Sequence, residues 1–275
     1  MSAISVVVYF LQSLFKEAFP GLPVALPIFL GTAISLLLSF MLNQSYERWW
    51  EARRIWGSIV NDSRSLVLEL QGFLKPGKEE VIKTIAHRQI AWCYSLGQSL
   101  RDQDATLNIS NFLSEREFAE LQVHSNKALG LLSFHNRDLA SLRDTGALDP
   151  FHHVQLDQTL VRLVDSMGQA ERIKNTVFPT TYPMFLHLLV YIFVIMMSIS
   201  LSEIDGIFEI PLLIIIVFPF LLLERTAEYL QNPFSSLPTD TPVTAIANTI
   251  EINLRQLIGD TNVPEPTKPM DYYIN

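Results

Sequence analysis

The sequence predicts an all-α, integral membrane fold: four transmembrane helices, with a helical cytoplasmic region between the second and the third. Three observations predict it. Charge is scarce overall, the scarcity is concentrated in stretches long enough to cross a bilayer, and the charged block between them repeats with a helical period. Only 17% of the 275 residues are charged, against about 25% in soluble domains. No charged residue occurs between Glu17 and Glu47, or between Lys174 and Glu203. Each gap exceeds the roughly 20 apolar residues that span a bilayer as a helix.

Taken in order, the first apolar stretch is Val6 to Phe15. It is about half of spanning length. A signal-peptide core is one reading, but no basic start precedes it and no small-residue cleavage site follows. A first transmembrane helix, beginning before this stretch or continuing as Met1 to Val8, is preferred. The second span covers Leu22 to Leu42, and no breaker separates it from Trp49 to Phe73. There Trp49, Trp56, Ile59, Val60, Leu66, Val67, Leu70 and Phe73 recur near a 3.6-residue period. Helix 2 is therefore expected to run unbroken out of the membrane. Ser114 followed by Glu117 is a capping box, expected to open a helix over Glu115 to Leu132. Asp149 and Pro150 form an N-cap and N1 pair, after which Leu156, Leu160, Leu163 and Met167 fall on one face. The third span follows Lys174. The fourth, Ile210 to Leu223, reaches spanning length if it borrows from its flanks. Thr241 and Pro242 open a last amphipathic helix with Val243, Ile246, Ile250, Leu254 and Leu257 on its buried stripe, and Pro264, Pro266 and Pro269 predict an extended tail. The organisation is thus 1–46 for spans 1 and 2, 47–174 for the cytoplasmic region, 175–231 for spans 3 and 4, and 232–275 for the closing helix and tail.

Charge orients these parts. Sixteen of the 20 Lys and Arg residues lie between Arg48 and Lys174, whereas the loop from Glu203 to Glu209 has acids and no base. The positive-inside rule puts the basic block and the C-terminus in the cytoplasm, and that loop outside an inner (plasma) membrane. The net charge of −8 argues against nucleic acid as a partner, because phosphate binding needs clustered bases. The single cysteine, Cys93, excludes an internal disulfide and a cysteine-based zinc site.

No catalytic signature stands out: the chain has no glycine-rich phosphate loop, no His-Glu-x-x-His pair and no Gly-x-Ser-x-Gly elbow. Adjacent His152 and His153 would point about 100° apart on a helix, so a shared metal ion is not expected. Asn61-Asp-Ser63 and Asn108-Ile-Ser110 match glycosylation acceptors, but on the side expected to be cytoplasmic. No cofactor, no metal and no enzymatic activity are expected.

The second span is the informative element. Gly31, Ser35 and Ser39 recur every four residues as a small-residue stripe that permits close helix packing. One position on, Thr32, Leu36 and Phe40 form a stripe of larger residues, rotated about 100°. This second stripe faces lipid or a protein core, or, repeated about a symmetry axis, lines an apolar pore of the kind that gates by dewetting.

Three stretches resemble the bestrophin family in its bacterial form. They are Ser45-Tyr46-Glu47-Arg48-Trp49-Trp50-Glu51-Ala52-Arg53, ending at Trp56-Gly57; Glu171-Arg172 with Pro179 and Tyr182; and Asn232-Pro233-Phe234 followed by Asp240-Thr241-Pro242. The resemblance covers most of the chain in consistent order. It implies a homopentamer around one central pore built by the second helices, with three bulky apolar residues at four-residue spacing as a neck. Counting back from Tyr46, those positions are Thr32, Leu36 and Phe40, where Thr32 departs from the usual aliphatic residue and is expected to wet the outer ring. A second constriction at the cytoplasmic exit corresponds to Phe151, whose plainer reading is a helix-start residue packed on a neighbour. Animal members bind calcium in an acidic run after Asn-Pro-Phe. Here that place reads Ser235-Ser236-Leu237-Pro238-Thr239-Asp240, with one carboxylate, so no calcium clasp of that type is expected.

The resemblance thus implies a passive ion channel, with the lipid bilayer, further copies of the chain and monovalent ions as its partners. Anion conduction, chloride above all, is named first on family grounds, and monovalent cation conduction second, because an acid-lined vestibule concentrates cations. A membrane-bound scaffold or sensor without conduction follows. A secondary transporter ranks last, since the central spans carry no ionisable residue except His187.

Overall fold

The passage from apolar to charged sequence after residue 42 leaves no mark on the backbone. In the computed structural model, which describes residues 23–176, 179, 181–201 and 206–268, α1 (Ala25–Phe73) continues for 49 residues without a break. Its one proline, Pro27, sits in the first turn, where the missing N–H has no helical partner to lose. The first apolar stretch, Val6 to Phe15, lies outside the described residues.

Seven further α-helices follow among the described residues: α2 (Glu79–Leu100), α3 (Glu115–Leu121), α4 (Lys127–Asp144), α5 (Pro150–Asn175), α6 (Thr181–Ser200), α7 (Gly206–Gln231) and α8 (Val243–Leu257). A single 3₁₀ turn, Ser110–Phe112, precedes α3. Among the described residues there is no strand. The capping box forms as the sequence predicts: Ser114 accepts from the Glu117 N–H while the Glu117 carboxylate accepts from Ser114. Asp149 caps α5 through the Phe151 N–H at 2.9 Å, and Leu156, Leu160, Leu163 and Met167 are all buried.

Two expectations need correction. The helix expected over Glu115 to Leu132 is two helices. Asn126 caps α4 by accepting from the Leu129 N–H at 3.0 Å, and Lys127 Nζ donates to the carbonyls of Gln122 and His124. The turn between them folds over Gly130, where a Cβ would lie 2.9 Å from His124 Cγ. Glu209, assigned to the loop from Glu203, instead belongs to the first turn of α7 and is buried; residues 202–205 lie outside the described residues.

The chain divides into two compact units, 1–48 with 177–231, and 49–176 with 232–275. Three described helices are long and apolar enough to cross a membrane: α1, α6, and α7 from Phe208. In the first unit Ile34, Leu38 and Met41 of α1 pack with Leu186, Val190, Phe193 and Val194 of α6 and with Leu213 and Val217 of α7. Pro211 and Pro219 lie inside α7, which neighbouring helices and local adjustment tolerate in an apolar setting. In the second unit α2 is central, packing on α4, α5 and α8. Its Ile85, Trp92 and Leu96 join Trp56, Ile59 and Leu70 of α1, Phe134 of α4 and Ile250 of α8 in one core.

Candidate functional site

The phase of α1 separates two faces in the first unit. Pro27, Gly31, Ile34, Leu38, Met41 and Ser45 are buried, at alternating spacings of four and three, while Thr32, Leu36 and Phe40 are exposed. Leu36 is 73% and Phe40 57% accessible, large values for apolar side chains that share a helix with a dry core. The Thr32 hydroxyl donates to the Ile28 carbonyl at 2.9 Å. Its proton is therefore committed to the helix backbone. Of the small-residue stripe, Gly31 alone is buried, and a Cβ there would stand 3.0 Å from the Phe193 ring. Ser35 and Ser39 are exposed in the chain, and the Ser35 hydroxyl folds back to the Gly31 carbonyl at 2.8 Å. Only one member of that stripe thus packs within the chain.

Phe40 also borders a surface groove of about 490 Å³ with Gln44, Pro179, Thr181, Tyr182 and Phe185. Tyr182 fixes this end of α6. Its N–H donates to the Pro179 carbonyl at 3.1 Å and its hydroxyl to the Leu37 carbonyl at 2.9 Å. Tyr46 is exposed and Arg48 half-buried.

The remaining motif residues serve the second unit. The Trp49 indole donates to the Thr239 carbonyl at 2.8 Å, and Arg172 pairs with Glu51 at 2.7 Å. Asn232 Oδ1 accepts from the Phe234 N–H at 3.4 Å, and the Pro233 carbonyl from the Thr241 N–H at 3.0 Å. That loop drives Phe234 into the core, where it is fully buried. Asp240, the carboxylate at the position of the animal calcium run, turns inward and accepts from the Leu237 N–H at 3.1 Å. Burial raises its pKa, opposed by that hydrogen bond and by Arg101. Among the described residues, no three His, Cys, Asp or Glu side chains are grouped to hold a metal ion. Phe151 is 86% accessible at the start of α5. The plainer reading, a helix-start residue packed on a neighbour, finds no such neighbour among the described residues. His152 stacks on Phe73 at 4.2 Å.

Spacing did not reveal the buried polar groups. Arg88, at the centre of the second unit, pairs with Glu117 and, at 2.8 Å, with Asp138. His135 Nδ1 lies 3.4 Å from Arg88 Nη1, and its Nε2 3.2 Å from Gln89 Oε1. Burial and then the Arg88 charge press the His135 pKa well below its usual value, holding the ring neutral. A second network joins Tyr94, Glu251, Arg255, Asp260 and His87 beside a cavity of about 680 Å³. In the first unit, buried Glu224 lies 3.2 Å from His187, and buried Glu209 accepts from Ser198 at 2.7 Å. Both acids stand beyond the charge-free core of the fourth span, which is why the sequence presents only His187 as an intramembrane ionisable group.

A continuous helix that buries one apolar face, exposes another and carries charge only from Glu47 onward defines a helical membrane protein. The whole-chain comparisons refine that class. The family model described as Bacterial/Fungal Bestrophin protein matches residues 1–256, and the chain belongs to this family. It is 32% identical over 245 residues to the voltage-dependent anion channel-forming protein YneE of Salmonella typhi, covering 89% of this chain and 80% of that one. The protein of the same name in Escherichia coli strain K12 is 31% identical over the same length and shares. The crystal structure of a bacterial bestrophin homologue from Klebsiella pneumoniae superposes with a TM-score of 0.87 at 28% identity, covering 94% of this chain and 96% of that one. The chain is thus a bestrophin-family membrane protein and not an enzyme.

Proposed function

We propose that the chain is one subunit of a homopentameric channel that passes monovalent anions such as chloride through an apolar neck. The neck consists of Thr32, Leu36 and Phe40, contributed by α1 of each copy, and Phe151 forms a second ring at the cytoplasmic aperture. One observation carries this reading: Leu36 and Phe40 are exposed on the helix face opposite a dry core, in a chain whose relatives are named anion channel-forming proteins. Ser35 and Ser39 lie beside that stripe, where their small side chains allow a neighbouring copy to approach closely. Residues 47–174 and 232–275 form the cytoplasmic part and the segments 1–46 and 175–231 the inner-membrane part, following the distribution of Lys and Arg.

Monovalent cation conduction is the second reading, favoured by the net charge of −8. Planar-bilayer recording in a tenfold potassium chloride gradient separates the two. A reversal potential near the chloride limit is expected, and one near the potassium limit establishes the cation reading. A correctly assembled protein that passes no current is a scaffold instead.

A further inference from the structure

We propose that Glu47 forms a carboxylate ring on the inner side of the neck and sets the balance between anions and cations. The inference rests on the pore reading above and names the residue that tunes it.

The register of α1 carries the argument. Leu36, Phe40, Asn43 and Glu47 follow one another at spacings of four, three and four, and all four are exposed. That is the spacing of a single helix face, and it lies opposite buried Ile34, Leu38, Met41 and Ser45. Glu47 stands seven residues beyond Phe40, roughly 10 Å along the axis at about 1.5 Å per residue. An ion leaving the Phe40 ring meets the Asn43 amides and then the carboxylates. Arg48, next in the chain, is turned about 100° away and is half-buried.

Charge compensation singles Glu47 out. Farther along α1 each acid has a partner on another helix: Glu51 pairs with Arg172 at 2.7 Å and Asp62 with Arg162 at 2.8 Å, and Glu69 accepts from the Thr159 hydroxyl at 2.8 Å. Glu47 takes part in no ion pair among the described residues, and its hydrogen bond is a long one from the Asn43 amide at 3.5 Å. Upstream, the sequence offers no Lys or Arg between Lys16 and Arg48. Repeated around a symmetry axis, the uncompensated carboxylates gather cations at the inner mouth and repel anions, in the manner of acidic rings in cation channels. The field is screened within about 8 Å at 0.15 M salt and about 3 Å at 1 M, so the bias weakens as salt rises.

The test compares Glu47→Gln, Glu47→Arg and Glu47→Cys with wild type by bilayer recording in dilute and concentrated potassium chloride gradients. In dilute salt, Glu47→Gln should raise the chloride-to-potassium permeability ratio about threefold and Glu47→Arg about tenfold, and both changes should fade near 1 M. The cysteine variant is modified after assembly with methanethiosulfonate reagents. The sulfonatoethyl reagent should restore the wild-type ratio, and the trimethylammonium reagent should push it farther toward chloride. Cys93 does not interfere, because it is fully buried and burial pushes its thiol up to about 12. Currents whose ion ratio is the same in all these forms in dilute salt overturn the role of Glu47 while leaving the channel intact. Absence of current from the wild type overturns the channel reading and this inference with it.

Discussion

The two halves of α1 are held to their neighbours by different means. In the first unit it meets its neighbours through Ile34, Leu38 and Met41. Its hydroxyls there bond to its own carbonyls, as Thr32 does to Ile28 and Ser35 to Gly31, and the directional tie from another helix is the Tyr182 hydroxyl on the Leu37 carbonyl. In the second unit the same helix is fastened by charged and polar pairs. Arg64 donates to Asn253 at 2.6 Å, Arg162 to Asp62 at 2.8 Å, and Thr159 to Glu69 at 2.8 Å. Between apolar helices in lipid the attraction is van der Waals packing, without a hydrophobic drive. The first half is therefore held by shape along one face, while Leu36 and Phe40 on the opposite face stay exposed. The second half is held by side-chain partners at fixed positions.

If this contrast is right, removing a charge should hurt the second unit most. Arg88→Met leaves Glu117 and Asp138 without their shared cation in a site where Arg88 is almost inaccessible, and breaking a buried pair costs about 3–5 kcal/mol. Thermal unfolding in detergent, with hydrogen exchange across α2 and α4, should show that loss confined to the second unit. In the first unit the sensitive change is a cavity. Leu38→Ala should cost about 2–5 kcal/mol, with protection lost in α1 and α6 and retained in α4.

A smaller effect is pH dependence. Because His135 is held neutral in the fold by burial and by Arg88, the unfolded chain binds more protons once pH falls below the ordinary histidine value of about 6.5. Stability then rises with pH across that window, by up to about 1.4 kcal/mol per pH unit, and the contribution is lost as pH falls toward the folded-state value. Replacing His135 by Gln should flatten the slope between pH 6.5 and 5. A slope that persists in the variant assigns it to another group.

The sequence made legible whatever is local. The charge-free gaps, the Ser114 box, the Asp149-Pro150 start and the stripe at Leu156, Leu160, Leu163 and Met167 are written in neighbouring residues, and all appear in the fold. The break at residues 122–126 was legible but missed: the segment holds one apolar residue, Val123, and Asn126 was there to be read as a cap. Spacing identified the Gly31, Ser35 and Ser39 face but not what covers it, since burial depends on a partner helix rather than on period. Arg88 with Glu117 and Asp138, and Glu224 with His187, join residues far apart in the chain. No window of local sequence contains such pairs.

The account stands on the outward stripe of α1, and single-channel conductance of the Leu36→Ala/Phe40→Ala double variant in bilayers tests it most directly. Removing both side chains should widen and wet the neck and raise conductance about threefold or more over wild type. A correctly assembled variant with unchanged conductance would contradict the account.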